Sequence, residues 1–154
     1  MKKILLITAI FSISLLADFS RDDSSKIVTD SKTSLQWQDN ESTTKIWIDA
    51  VNYCENLRLG GYDDWRLPNI NELNSIVDDT KYMPCMSSAF KSLPPYHLND
   101  YTISHYWSST TSVDDSLSTV SFAWGFKFGD GYQGRFDKRY EANIRCTRSG
   151  LEIK

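Results

Sequence analysis

Apolar and polar positions along this 154-residue chain change their spacing in a way that divides it into elements. Lys26-Ile27-Val28-Thr29 and Leu35-Gln36-Trp37-Gln38 are short β-prone runs on either side of Asp30-Ser31-Lys32-Thr33, a cluster of turn formers. The pattern predicts a hairpin. Ile46, Ala50, Tyr53, Cys54 and Leu57 then recur at helical spacing, widened by Trp47 and Val51. This predicts a first helix over about 44–58 with Cys54 on its buried face, entered from a polar loop rich in N-cap residues. A second helix is expected from Ile70 to Val77, with Leu73, Ile76 and Val77 inward.

From His105 the period shortens to two. His105–Thr110 reads as a strand, and Asp114-Asp115-Ser116 as a turn. Thr119–Phe128 reads as a longer strand with Val120, Phe122, Trp124, Phe126 and Phe128 on one face. Gly129-Asp130-Gly131 is a hairpin turn, and Tyr132–Phe136 returns. Ala142–Arg148 alternates, so Ala142, Ile144, Cys146 and Arg148 are expected on one face as a last strand. Residues 80–104 hold no steady period and form a loop long enough to be functional or mobile. Helices in the first half and strands mostly in the second predict an α+β fold on an antiparallel sheet.

The junction between the helices carries the densest local chemistry. Gly60 and Gly61 accept positive φ and are expected to stop the first helix. Leu67 before Pro68 is pushed towards an extended conformation. Asn69 and Glu72 have capping-box spacing at the start of the second helix. Trp65 and Arg66 sit between stop and start.

Composition bounds what the chain is for. Lys2 and Lys3, the apolar run Ile4–Leu16 and small Ala17 make residues 1–17 an expected signal peptide. Export to the periplasm, the cell surface or the medium follows, and no later stretch is apolar enough to span a membrane. Residues 18–25 are polar and read as a flexible arm, followed by a single domain over 26–150. Seventeen basic and 20 acidic residues give −3; without Lys2 and Lys3 the remainder stands at −5. That balance argues against nucleic acid as a partner. Three cysteines, Cys54, Cys85 and Cys146, allow one bridge and one leftover thiol in an oxidising compartment. A zinc cluster is disfavoured by the absence of C-x-x-C and by having only His97 and His105, and nothing local supports a Cys–His nucleophile.

One ordered set of motifs is more specific than any of its parts. W-x-x-A-x-x-x-C (Trp47, Ala50, Cys54) precedes L-x-L-G-G-Y-x-D-W-R-L-P-N-x-x-E-L (Leu57–Leu73). Y-W-S-S-T (Tyr106–Thr110), Ala123-Trp124 and R-C-x-R (Arg145–Arg148) follow. The set resembles the C-terminal domain family of Legionella collagen-like adhesins over roughly residues 27–149. That family is similar to the C-type-lectin-like superfold. The resemblance implies two helices packed on a twisted antiparallel sheet with long loops. It also implies a disulfide from Cys54 on the first helix to Cys146 on the last strand, leaving Cys85 without a partner. It implies a secreted or surface adhesion domain that recognises a glycan or anionic polysaccharide of the cell envelope or its surroundings. The collagen-like repeat that trimerises the adhesins is missing from this chain.

Within that frame the candidate residues divide. Trp65, Trp107 and Trp124, with Arg66 and Pro68, read as structural; sugar stacking by the tryptophans is the alternative. Arg66 is expected to tie its loop to Asp63 or a backbone carbonyl. The better ligand candidates are basic: Lys127, Arg135, Lys138 and Arg139, in a segment that also holds Arg145 and Arg148. Guanidinium forks suit sulfate and carboxylate groups; the alternative is a solvated hairpin balanced by the acidic half. Neither metal nor cofactor is expected: the acidic pairs lack calcium-loop spacing, with Asp114-Asp115 the remaining option. No nucleophile-elbow, zincin or phosphate-loop motif is present, so a binding domain is favoured over an enzyme. Two rival readings remain: an assembly module that docks an envelope protein through residues 80–104, and a formylglycine-generating type of oxidase. The oxidase would require Cys85 to work with Cys54 or Cys146.

Overall fold

The computed structural model describes residues 19–94, 105–113 and 121–151. The expected signal peptide, His97, Asp114-Asp115 and the start of the 119–128 strand lie outside them. The elements run β1 (Phe19–Asp22), β2 (Ile27–Asp30), β3 (Leu35–Gln38), β4 (Thr44–Lys45), α1 (Trp47–Glu55), α2 (Ile70–Ser75), β5 (Tyr106–Ser112), β6 (Phe122–Lys127), β7 (Tyr132–Asp137), β8 (Ala142–Asn143) and β9 (Thr147–Ser149). The class is α+β, with two sheets where one was expected. Four strands lie in the order β1-β2-β3-β9 and five in the order β4-β8-β5-β6-β7. Every pairing is antiparallel except β5 with β8.

The alternation of β2 explains how the sheets meet the core. Ile27 and Val28 are both buried but join different apolar clusters. Val28, Trp37, Leu73, Ile76, Met86, Phe126 and Phe128 form one. Ile27, Ala50, Trp65, Leu67, Trp107, Ile144 and the two bridged cysteines form the other. Tyr106 and Trp107 divide in the same way. Strands with both faces covered read as continuous burial rather than alternation. Residues 142–148 show the result: all seven are buried. The single alternating strand expected there is two short strands, β8 and β9, in different sheets. Arg145 and Arg148 are therefore inside, beside Cys146.

Residues 19–22 are not a loose arm. They form β1, paired to β2 from Phe19 against Asp30 to Asp22 against Ile27. Phe19 packs on the first cluster and tilts against Phe90 with ring centroids 5.9 Å apart. The polar composition hid a strand whose alternate residues, Phe19 and Arg21, are the half-buried ones.

Both helices are shorter than predicted. Thr44-Lys45 is taken by pairing with Asn143 and Ala142, so α1 starts at Trp47. Its N-cap is Ile46, which offers no side-chain cap, and the Trp47 N–H donates to Lys138 O at 3.1 Å instead. α2 has the expected capping box: Glu72 N–H donates to Asn69 Oδ1 (2.9 Å) and Asn69 N–H to Glu72 Oε2 (2.8 Å). It closes at Ile76 rather than Val77.

Between the helices, Gly60 and Gly61 do not terminate α1, which ends at Glu55 with Asn56 as its C-cap. They form the tight turn of a bridge between Leu59 and Tyr62, with φ of +63° and +84°. A Cβ at Gly60 would come within 2.4 Å of Ile27 Cδ1. Glycine is thus required twice there, for backbone sign and for space. Further on, Arg66 exchanges both backbone hydrogen bonds with Thr147 (2.9 and 2.8 Å), laying the Trp65–Leu67 segment along β9. Ser109 N–H donates to Pro68 O (2.7 Å), fixing the start of α2 against β5.

Cys54 in α1 and Cys146 just before β9 form a disulfide across 92 residues of sequence. Cys85 is buried and free, with its Sγ 3.1 Å from Phe128 O, the acceptor of its thiol hydrogen. Burial pushes that thiol's pKa up.

Candidate ligand surface

The six basic residues grouped by sequence occupy three different environments. Arg145 is 2% exposed and belongs to a knot around buried Asp39. Its Nη1 donates to Asp39 Oδ1 (2.7 Å) and Gln38 O (2.8 Å), and its Nη2 to Ser92 O (2.6 Å). Asp39 also pairs with Arg21 and accepts from the N–H groups of Lys91 (2.9 Å) and Ser92 (3.1 Å). This knot ties β1, the end of β3, the 91–92 loop and residue 145 together. Arg148 lies 3.6 Å above the Tyr62 ring and donates to Asp64 at 2.6 Å, holding that carboxyl below its usual range. Neither arginine belongs to a ligand surface.

The remaining four lie on or beside the β6–β7 hairpin, and register sorts them. Ala123 opposes Phe136, Gly125 opposes Gly134 and Lys127 opposes Tyr132, so these six share one face. Trp124 opposes Arg135 on the other. The Lys127 Nζ lies 5.7 Å from the centroids of both the Tyr132 and Phe136 rings. Lys138 follows the strand and brings its Nζ 3.9 Å from the Trp47 ring centre. Partial burial lowers its pKa. Together they make a strip: Lys127, Tyr132, Phe136, Trp47 and Lys138. Tyr132 is 55% exposed, while the Phe136 and Trp47 rings are half-buried. The span from 132 to 138 is about 20 Å at strand rise. Arg135 stands on the opposite face, and Arg139 is engaged by Asp137 at 2.6 Å. The basic quartet is therefore split.

Under the strip lies His105, 3% exposed. Its ring stacks on Phe136 at 3.7 Å and 9° and meets Trp107 edge-on at 4.8 Å. Neither ring nitrogen has a hydrogen-bond partner among the described residues. Burial, helped by the nearby Lys127 charge, pulls its pKa from 6.5 down to about 3. Gly125 makes room for it: a Cβ there would sit 2.9 Å from both His105 Cδ2 and Tyr106 O. The histidine is a neutral ring bracing the strip from below.

Trp65 and Trp107 are buried and hydrogen-bonded, to Leu59 O (3.3 Å) and Lys45 O (3.0 Å), so they offer no stacking face. Trp124 packs partly buried on the first cluster. Arg66 forms a two-pronged pair with Glu72 (2.7 and 2.8 Å) rather than with Asp63, and its Nη1 also donates to a backbone carbonyl, Leu67 O, at 3.5 Å. Burial alone would raise the Glu72 carboxyl; Arg66 and the Asn69 N–H outweigh it and hold the pKa low. The aromatic half of the strip was not anticipated from sequence. Its signal was the hairpin register itself, which sets Tyr132 and Phe136 on the Lys127 face once Gly129-Asp130-Gly131 is taken as the turn.

The family described as the Lcl C-terminal domain matches residues 26–148. No curated protein matches the chain.

Proposed function

From the chain's membership of the Lcl C-terminal domain family, we propose that it is an exported, C-type-lectin-like adhesion domain that binds an anionic polysaccharide. The observation that carries this reading is the strip in which two lysines flank three partly accessible aromatic rings. Sugar rings stack on aromatic faces through their C–H groups, while sulfate or carboxylate substituents pair with cations; the strip offers both in one line. Two helices and two sheets among the described residues, and a bridge from the first helix to the residue before the last strand, support the lectin-like assignment. The bridge also supports binding over oxidase chemistry, since it commits two of the three thiols.

The test is retention on an immobilised sulfated polysaccharide with a sodium chloride gradient. Reversing Lys127 and Lys138 to Glu is expected to weaken binding by roughly tenfold or more, at about 1 kcal/mol per lost contact. Reversing Arg135 and Arg139 is expected to do much less. Equal effects of the two pairs, or no retention of the unaltered chain at low salt, would refute the strip.

A further inference from the structure

A second concavity lies away from the strip. A groove of ≈ 750 Å³ runs between β1 and the segment from the end of α2 to Lys91. That volume falls in the range of small-molecule sites. One wall is Phe19 and Arg21, both N-terminal to the family-matched residues 26–148. The wall is therefore supplied by sequence outside that match. Val77 and Ala89 give apolar contact, and Asp79, Thr80 and Ser88 line the groove with polar groups.

Three of its four charged side chains are compensated in place. Arg21 is paired with Asp39 and Asp23, Lys91 with Asp23 at 3.0 Å, and Asp78 with Lys81 at 3.1 Å. Such a groove presents little net field to a polyanion or a polycation. What it does present is the Phe19 ring in tilted contact with Phe90, small hydroxyls, and the exposed carboxylate of Asp79. Those groups match the C–H face and vicinal hydroxyls of an uncharged sugar.

We propose that this groove binds a neutral oligosaccharide, with a sugar ring on Phe19 and its hydroxyls shared among Asp79, Thr80 and Ser88. The site uses none of the strip residues and stands or falls independently of the polysaccharide reading. The probes are the linear tetrasaccharides of glucose and of N-acetylglucosamine, titrated calorimetrically into the full chain. One of them is expected to bind saturably at one site, with affinity changing less than about twofold between roughly 50 and 500 mM salt. Ser88→Trp, a substitution at an exposed position that fills the groove, is expected to abolish it while retention on sulfated polysaccharide persists. Phe19→Ala is expected to weaken it roughly tenfold. The Lys127 and Lys138 reversals are expected to leave it unchanged. Absence of saturable binding to both tetrasaccharides, or binding that survives Ser88→Trp, overturns the proposal.

Discussion

Mild acid should destabilise this domain through one residue. His105 is buried between Phe136 and Trp107 with no acceptor for a ring proton among the described residues. Its pKa is about 3 in the fold against 6.5 for an ordinary histidine. The folded value lies below the unfolded one, so the neutral ring's contribution is complete above pH 6.5 and is lost as pH falls towards 3. Linkage sets the slope at about 1.4 kcal/mol per pH unit in that window. Between pH 6.5 and 5 the domain should lose about 2 kcal/mol, and about 4 kcal/mol by pH 3. The upper part of the window isolates the effect. Carboxylates whose pKa values are lowered, such as Asp64 and Glu72, stay ionised in both states above pH 5 and contribute little there. The assay is urea unfolding at half-unit steps from pH 7.5 to 5, followed by tryptophan fluorescence. His105→Phe keeps an aromatic ring on Phe136 and cannot take a proton; His105→Asn serves if the larger ring does not fit. The difference between each variant and the unaltered chain removes any contribution from His97. Parallel curves over pH 6.5–5 would show that the histidine can be protonated in place, and would sink the argument.

Four further outcomes follow from the geometry. Asp39→Asn strips the counter-charge from Arg145 and Arg21, whose side chains are 2% and 8% exposed; it should cost about 3–5 kcal/mol in urea unfolding. It should also speed tryptic cleavage after Lys91, whose backbone N–H Asp39 holds. Replacing Cys54 and Cys146 together by Ser should cost about 4–5 kcal/mol in the chain-entropy model for a 92-residue separation, read as a fall in the urea midpoint. Asn69→Ala should cost about 1 kcal/mol through the lost cap. Arg66→Ala should cost less than about 1 kcal/mol in the same assay, because the Arg66 side chain is 46% exposed and its pair with Glu72 is screened.

Local signals were legible and long-range ones were not. The Asn69–Glu72 capping box is a relation between residues three apart, and it is present as read. The β2–β3 and β6–β7 hairpins likewise follow from turn residues between short runs. β1 was missed because a four-residue edge strand with two outward polar residues looks like a linker; only its pairing with β2 shows otherwise. Residues 142–148 were misread because alternation presumes one exposed face, and here the chain passes between two covered sheets. The basic segment was misread for a related reason. Counting charges along a chain ignores strand parity, which sends Lys127 and Arg135 to opposite faces. It also ignores depth, which takes Arg145 to Asp39 and Arg148 to Asp64. The half-legible site is thus two lysines, recoverable from sequence, set among aromatic rings that needed register to place.

The backbone exchange between Arg66 and Thr147 has a consequence for the molecule in company. β9 is the last strand of its sheet, and an open rim of N–H and C=O groups is a template on which another chain can grow. The segment carrying the Gly60–Leu73 motif occupies that rim at its centre. It works as a selvedge, finishing the fabric so that it does not join the next piece. At the other rim, β1 carries Arg21 and Asp22 and runs into Asp23, and charge there performs the same office. The Trp65–Leu67 segment thereby covers a strand rim on which another chain could otherwise pair.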